Sequence, residues 1–152
     1  MDGLKLLKDD HDKVKAMLKT LDETTERALK TRPEMLEKLK HDLTIHETIE
    51  EEILYPALEE FSKTKDIALE GYEEHHVVDE IMAELEATPV DDETWAAKLT
   101  VMKENLEHHI EEEETDMFPK ARKVMEPRDL SELGDRMAAR KKELLAAEPV
   151  AE

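Results

Sequence analysis

Apolar residues recur along this chain at intervals of three and four, the spacing that lines one face of an α-helix. Leu4, Leu7, His11, Val14, Met17, Leu18 and Leu21, with Ala28 beyond them, mark the inward face of a first helix over about residues 2–30. Pro33 suits the first turn of a second helix, where its missing N–H costs nothing. Leu36, Leu39, Leu43, His46, Glu50, Ile53, Leu54 and Leu58 carry that helix's stripe, with a disturbance expected around Pro56. Lys63-Thr64-Lys65-Asp66 reads as a short connection into a third helix over about 66–87. Thr88-Pro89-Val90-Asp91-Asp92 ends it and caps a fourth, over about 92–124, which Pro119 should bend. Short connections make successive helices antiparallel neighbours, so the expected fold is all-α, an up-down-up-down four-helix bundle over residues 1–125. Pro127-Arg128-Asp129 opens a further helix, residues 126–147, whose stripe of Leu130, Leu133, Met137, Leu144 and Leu145 should pack on the bundle; docking to a partner or a second copy is the alternative. Residues 148–152 read as a frayed tail.

The stripes are interrupted by polar residues, and the interruptions repeat. Asp9-Asp10-His11 followed by Val14, Met17, Leu18 and Leu21 returns as Glu73-Glu74-His75 followed by Val78, Ile81, Met82 and Leu85. His46-x3-Glu50, closing in Tyr55-Pro56, returns as His109-x3-Glu113, closing in Phe118-Pro119. A four-residue spacing puts two side chains on one helix face a turn apart, so both can reach a single ion. Such a pair alone means little in a chain this rich in Glu, since His46, His76, His108 and His109 all have Glu four residues on. Phase carries the argument. Glu50 and Glu113 fall within apolar stripes, and an unpartnered buried carboxylate faces several kcal/mol of desolvation, so it needs an ion, a cation or a proton.

His11 and His75 add an imidazole from each of the other two helices. Either alone reads better as a core histidine hydrogen-bonded to a carbonyl or carboxylate; their repetition beside the other pairs reverses this in favour of ligation. His11, His46, Glu50, His75, His109 and Glu113 are thus the candidate metal ligands, and imidazole mixed with carboxylate on four helices suits a dinuclear iron or manganese site. Aligning the repeats by their apolar positions selects His75 and His109 and leaves His76 and His108 about 100° round the helix. Those two, His41 and most of the runs Glu50–Glu52 and Glu111–Glu114 are read as solvated or peripheral.

Composition narrows the remainder. Forty-one acidic against 22 basic residues give a net charge of −19, which disfavours nucleic acid and anionic membrane surfaces as partners and favours cations. The absence of cysteine removes disulfides, thiolate catalysis and thiolate metal sites, leaving nitrogen and oxygen donors. No apolar run suits a bilayer span or a signal peptide, so a cytoplasmic protein is the expectation. Zinc is less apt, because its structural sites close with four ligands, often including cysteine.

Asp10-His11, His46-x3-Glu50-x4-Tyr55-Pro56, Glu74-His75 and His109-x3-Glu113-x4-Phe118-Pro119 together closely resemble the hemerythrin-like domains that bind a cation through paired His-His-Glu motifs. The resemblance covers residues 4–122, and Leu130-x2-Leu133-Gly134-x2-Met137 resembles the extra C-terminal helix of bacterial members. It implies two iron ions in an oxo- or hydroxo-bridged non-haem centre, with Glu50 and Glu113 bridging and the four histidines terminal. Oxygen carriers of that family have a fifth histidine four residues after the third-helix ligand, where this chain has Asp79. Four histidines leave each ion about one open position by ligand counting. Asp79 either coordinates, favouring ferric iron, or faces solvent. Glu47 is a further carboxylate candidate. Tyr55, nine residues after His46, should face away unless the disturbance at Pro56 rotates it inward.

The function expected is reaction of a di-iron centre with O2, peroxide or NO. Peroxide removal, catalase-like if enzymatic, or a redox response is favoured over reversible O2 transport. The alternative is an iron- or oxygen-responsive regulatory module acting through a protein partner, and a third reading is a metal-free bundle with internal ion pairs.

Overall fold

Asp2 starts the first helix: its Oδ1 accepts the Leu4 and Lys5 N–H groups at 2.8 and 3.3 Å, satisfying donors that a helix start leaves open. In the computed structural model, which describes residues 1–147, α1 spans Gly3–Asp22. It stops short of residue 30. Thr24 Oγ1 donates to the Leu21 carbonyl at 2.6 Å, closing the last turn, and Arg32 reaches back to Thr24 Oγ1 at 2.9 Å and to its carbonyl at 3.1 Å. The buried Arg32 guanidinium also stacks on Trp95, 4.3 Å from the ring centre, and donates to the Val90 carbonyl at 2.5 Å, tying both loops at this end together.

The second helical rod comprises α2, Thr31–Ile49, a π-helical turn over Glu50–Leu54, and α3, Tyr55–Glu59. The fourth comprises α5, Glu93–Glu112, a π-helical turn over Glu113–Met117, and α6, Phe118–Val124. Both π turns come just before Pro56 and Pro119, which have no N–H for the carbonyls of residues 52 and 115. The Tyr55 N–H instead bonds Glu50 O, and the Phe118 N–H bonds Glu113 O, so each rod takes up one extra residue at its disturbance. Between the rods, α4 spans Ser62–Ala87 and begins earlier than expected. Lys63–Asp66 is its first turn, not a connection: Thr64 is buried and donates to the Leu58 carbonyl at 2.6 Å, and the neighbouring polar residues form a solvated face.

The helices form the expected all-α bundle with an additional C-terminal helix, α7, Pro127–Ala146. Asp129 Oδ2 accepts the Glu126 N–H at 3.0 Å at its start. α7 lies against α1, α2 and the first π turn, burying Leu130, Leu133 and Met137, each contributing roughly 1.5–3 kcal/mol. The approach of α7 to the start of α1 is close enough to exclude a side chain: a Cβ on Gly134 would clash with the Met1 carbonyl oxygen and stand 2.8 Å from the Gly3 nitrogen. Residues 148–152, expected to fray, lie outside the described residues.

The apolar core falls into two clusters. One, around Leu18, Leu39, Leu85 and Trp95, fills the loop end; the other, around Leu7, Leu54, Leu58, Phe118 and Leu133, fills the end that α7 covers. A polar layer lies between them. No helix among the described residues is long and apolar enough to cross a membrane.

Candidate metal centre

Each rod of the bundle brings one or two groups to that layer: His11 from α1, His46 and Glu50 from the second rod, His75 from α4, His109 and Glu113 from the fourth. All six are buried, at 5% exposure or less. Glu50 Oε1 lies 3.1 Å from both His46 Nε2 and His75 Nε2. Glu113 reaches His11 Nε2 with Oε1 at 3.1 Å and His109 Nε2 with Oε2 at 3.4 Å. Each carboxylate therefore touches imidazoles of both halves of the repeat. The imidazoles instead pair within each half, with ring centres 4.9 Å apart for His11 and His46 and for His75 and His109.

The outer edges of the rings are held by a second set of carboxylates. Nδ1 of His11 lies 2.7 Å from Glu114, that of His46 3.2 Å from Asp10, that of His75 2.8 Å from Glu51, and that of His109 2.7 Å from Glu74. A carboxylate only accepts, so each Nδ1–H donates outward and each Nε2 faces inward. These four carboxylates follow the repeat, His11–Glu114 matching His75–Glu51 and His46–Asp10 matching His109–Glu74. Glu51 and Glu114 correct the reading of the acidic runs as mostly solvated, since in each run the residue after the central Glu orients a histidine. The available signal was an acidic residue at the same offset in both copies, directly before His11 and His75 and directly after Glu50 and Glu113.

The inner atoms show what the layer can hold. His11 Nε2, His46 Nε2, His109 Nε2, Glu50 Oε2 and Glu113 Oε1 are buried and make no well-aligned hydrogen bond, close as some of them lie to one another. A buried unsatisfied group costs about 1–3 kcal/mol, more when charged, and here several face the same small space. His11, His46, Glu50 and Glu113 each offer an atom within 4.8 Å of the others, and so do Glu50, His75 and His109. The two sets share Glu50. Such a donor set fits two hard or borderline cations side by side.

Packed against one another alone, these groups compete for protons. Burial disfavours charge on His46 and His75, but Glu50 outweighs it; His46 is held well above the ordinary histidine value and His75 at about 9. Burial likewise opposes ionisation of Glu50, and His46 and His75 pull it well below the usual carboxylate range. A cation held here would displace those protons and take their place as counter-charge.

Tyr55 is rotated inward. The π turn absorbs one residue, so Tyr55 falls about 80° from His46 in phase rather than 180°. Its hydroxyl donates to Glu113 Oε2 at 2.6 Å and lies 3.3 Å from His75 Nε2. The ring lies so close to α4 that a Cβ on Gly71 would stand 2.6 Å from Tyr55 Cζ. Phe118, its counterpart in the repeat, stacks on His11 at 6.0 Å without a polar atom. The centre is therefore asymmetric.

Asp79 is exposed and stands away from the six residues, beside Glu47. Glu47 is 8% exposed; burial, aided by Asp79 and Glu51, pushes its carboxyl up to about 9. It lines both an open groove of about 510 Å³ between α2 and α4 and a cavity of about 10 Å³ that touches all four buried histidines. His76 and His108 point outward, at 66% and 73% side-chain exposure, paired with Glu80 and Glu112. His41 is half-buried on α2, away from the centre.

The pattern of the hemerythrin HHE cation binding domain matches residues 2–121. Uncharacterised proteins of Mycobacterium bovis and Mycobacterium tuberculosis are 35% identical over 111 residues, 72% of this chain and 67% of theirs. A crystal structure of a hemerythrin HHE cation binding domain-containing protein from Mycobacterium kansasii superposes with a TM-score of 0.86 at 28% identity, over 97% of this chain and 89% of that one. This chain belongs to the hemerythrin HHE cation-binding domain family.

Proposed function

We propose that the chain is a non-haem di-iron protein whose ions are held by His11, His46, Glu50, His75, His109 and Glu113, and that it reacts with peroxide, O2 or NO. Peroxide removal fits better than reversible O2 transport. The observation that carries the reading is the convergence of buried imidazole nitrogens and carboxylate oxygens from all four rods on one layer, five of these atoms making no well-aligned hydrogen bond. Two adjacent ions, once bound, would supply the two electrons that cleave the O–O bond of one peroxide and recover two from a second peroxide as it leaves as O2. The chain's own residues supply the rest. Glu51, Glu74, Glu114 and Asp10 orient the imidazoles, and Glu50 and Glu113 each reach a histidine of both halves of the repeat. Tyr55 holds its proton on Glu113 within reach of the His75 position, which makes it a candidate further ligand. Apolar walls from Val14, Leu43, Val78, Leu106 and Ile110 around the small cavity exclude bulk water and admit only a molecule of a few atoms.

The test is reconstitution with iron followed by metal analysis, optical spectroscopy and an oxygen electrode during H2O2 addition. Two irons per chain and O2 release above that of free iron are expected. Fewer than two irons would overturn the centre, and O2 release no faster than free iron would overturn the peroxide chemistry. A second reading, a metal-responsive regulatory module, is favoured by the contact between α7 and the ring of carboxylates around the histidines.

A further inference from the structure

α7 reaches the centre through Lys141. Its Nζ lies 2.6 Å from Asp10 Oδ1, and the other oxygen of that carboxylate takes the His46 Nδ1–H at 3.2 Å. Asp10 is 8% exposed, so one buried carboxylate is shared between the C-terminal helix and a candidate ligand. Nothing equivalent stands on the other three histidines: among the described residues no lysine or arginine pairs with Glu51, Glu74 or Glu114. The repeat explains the difference, because the two halves are duplicated and α7 is not. Arg140 reinforces the attachment one residue away, donating to Glu52 at 2.8 and 3.2 Å.

A carboxylate on Nδ1 fixes the orientation of a ligating imidazole and strengthens its donor atom. Lys141 in turn fixes that carboxylate. Without it, Asp10 keeps one buried oxygen unpaired and can turn off His46. We propose that Lys141 is a positioning residue that makes the two ion positions unequal, and that docking of α7 is linked through Lys141, Asp10 and His46 to filling of the position served by His11 and His46. The inference rests on the metal reading above. Linkage is reciprocal, so whatever affinity a docked α7 confers on that position, the ion confers on docking of α7.

The experiment uses the full chain stripped by chelator, titrated calorimetrically with Co(II), with amide exchange of residues 136–146 followed with and without the ion. The wild-type chain should bind two ions with separable affinities and exchange more slowly in α7 when loaded. Lys141→Met keeps the aliphatic stem and removes the charge; it should weaken one ion about 10-fold, the low end of the effect of losing an outer partner of a ligating histidine. The other ion should be unaffected, and the ion-dependent slowing in α7 should shrink by a similar factor. Lys141→Arg should restore both. Equal losses at both positions, no loss at either, or undiminished protection of α7 in Lys141→Met overturns the inference while leaving the centre standing. A wild-type chain that takes up no ion overturns the centre itself.

Discussion

Glu50 and Glu51 are neighbours in sequence with opposite tasks. Glu50 lies wholly inside, touching His46 and His75, while Glu51 sits at the margin and takes the outer proton of His75. Substituting them should separate those tasks. Glu50→Ala removes a donor common to both positions and should abolish binding of at least one ion, as read by metal content after gel filtration. Glu51→Gln leaves every inward donor in place and should weaken ion binding by about 10- to 100-fold without changing the stoichiometry at saturation. Gly71 is the other informative residue. Its bare Cα lets the Tyr55 ring lie against α4, so Gly71→Ala should force the phenol off Glu113 and cost about 1–3 kcal/mol in thermal unfolding. An unchanged melting temperature would show that the ring does not need that space.

At the level of elements, the two π turns place the carboxylates and Tyr55. Each is short of an N–H donor because a proline follows, and each sits in a rod whose remaining length is ordinary α-helix. Pro56→Ala returns the missing donor and lets the Glu52 carbonyl be bonded in the α-helical manner. The metal-free protein should gain on the order of 1 kcal/mol in denaturant unfolding. Ion affinity should fall, since relaxation to a regular helix turns Tyr55 and the apolar residues after it out of phase with His46. Changes of the same sign in stability and affinity would contradict this account of the turn.

For the whole molecule, the centre divides the core and couples its protonation to folding. His75 and Glu47 both hold values of about 9, above their ordinary 6.5 and 4.5. Between those ordinary values and about 9 the folded chain binds more protons than the unfolded one, so the metal-free protein should lose stability as pH rises through that span. Asp10, Glu50 and Glu74 are held below the usual carboxylate range by their histidine partners, against the effect of burial, and their contribution is lost on acidification through their lowered values. Ion binding needs bare Nε2 atoms and strengthens over the range where His75 gives up its proton. The difference in melting temperature between loaded and chelator-treated protein should therefore widen from pH 6.5 to 9. Free ion at about 100 times its dissociation constant should add about 2.7 kcal/mol per site to folding stability. A difference that narrows with pH would mean that the ions do not compete with the histidine protons.

Much of this molecule is written in helical phase. The stripe positions predicted the bundle, the added helix and the convergence of six polar residues, because burial on a helix obeys a period that sequence displays directly and because the chain states the pattern twice. The same phase separates His75 from His76 and His109 from His108. Residues at the margin of the stripe were legible only through the repeat, which sets an acidic residue directly after both Glu50 and Glu113. Glu51 and Glu114 look like their solvated neighbours in an acidic run, and only the angle at which facing helices cross brings them to an imidazole edge. The end of α1 at Asp22 depended on Arg32 turning back onto Thr24 while reaching across to Val90, and the start of α4 at Ser62 on the buried bond from Thr64 to the Leu58 carbonyl. Lys141 depended on tertiary structure entirely. It lies 131 residues from Asp10, and no periodicity within either helix says how one will dock on the other.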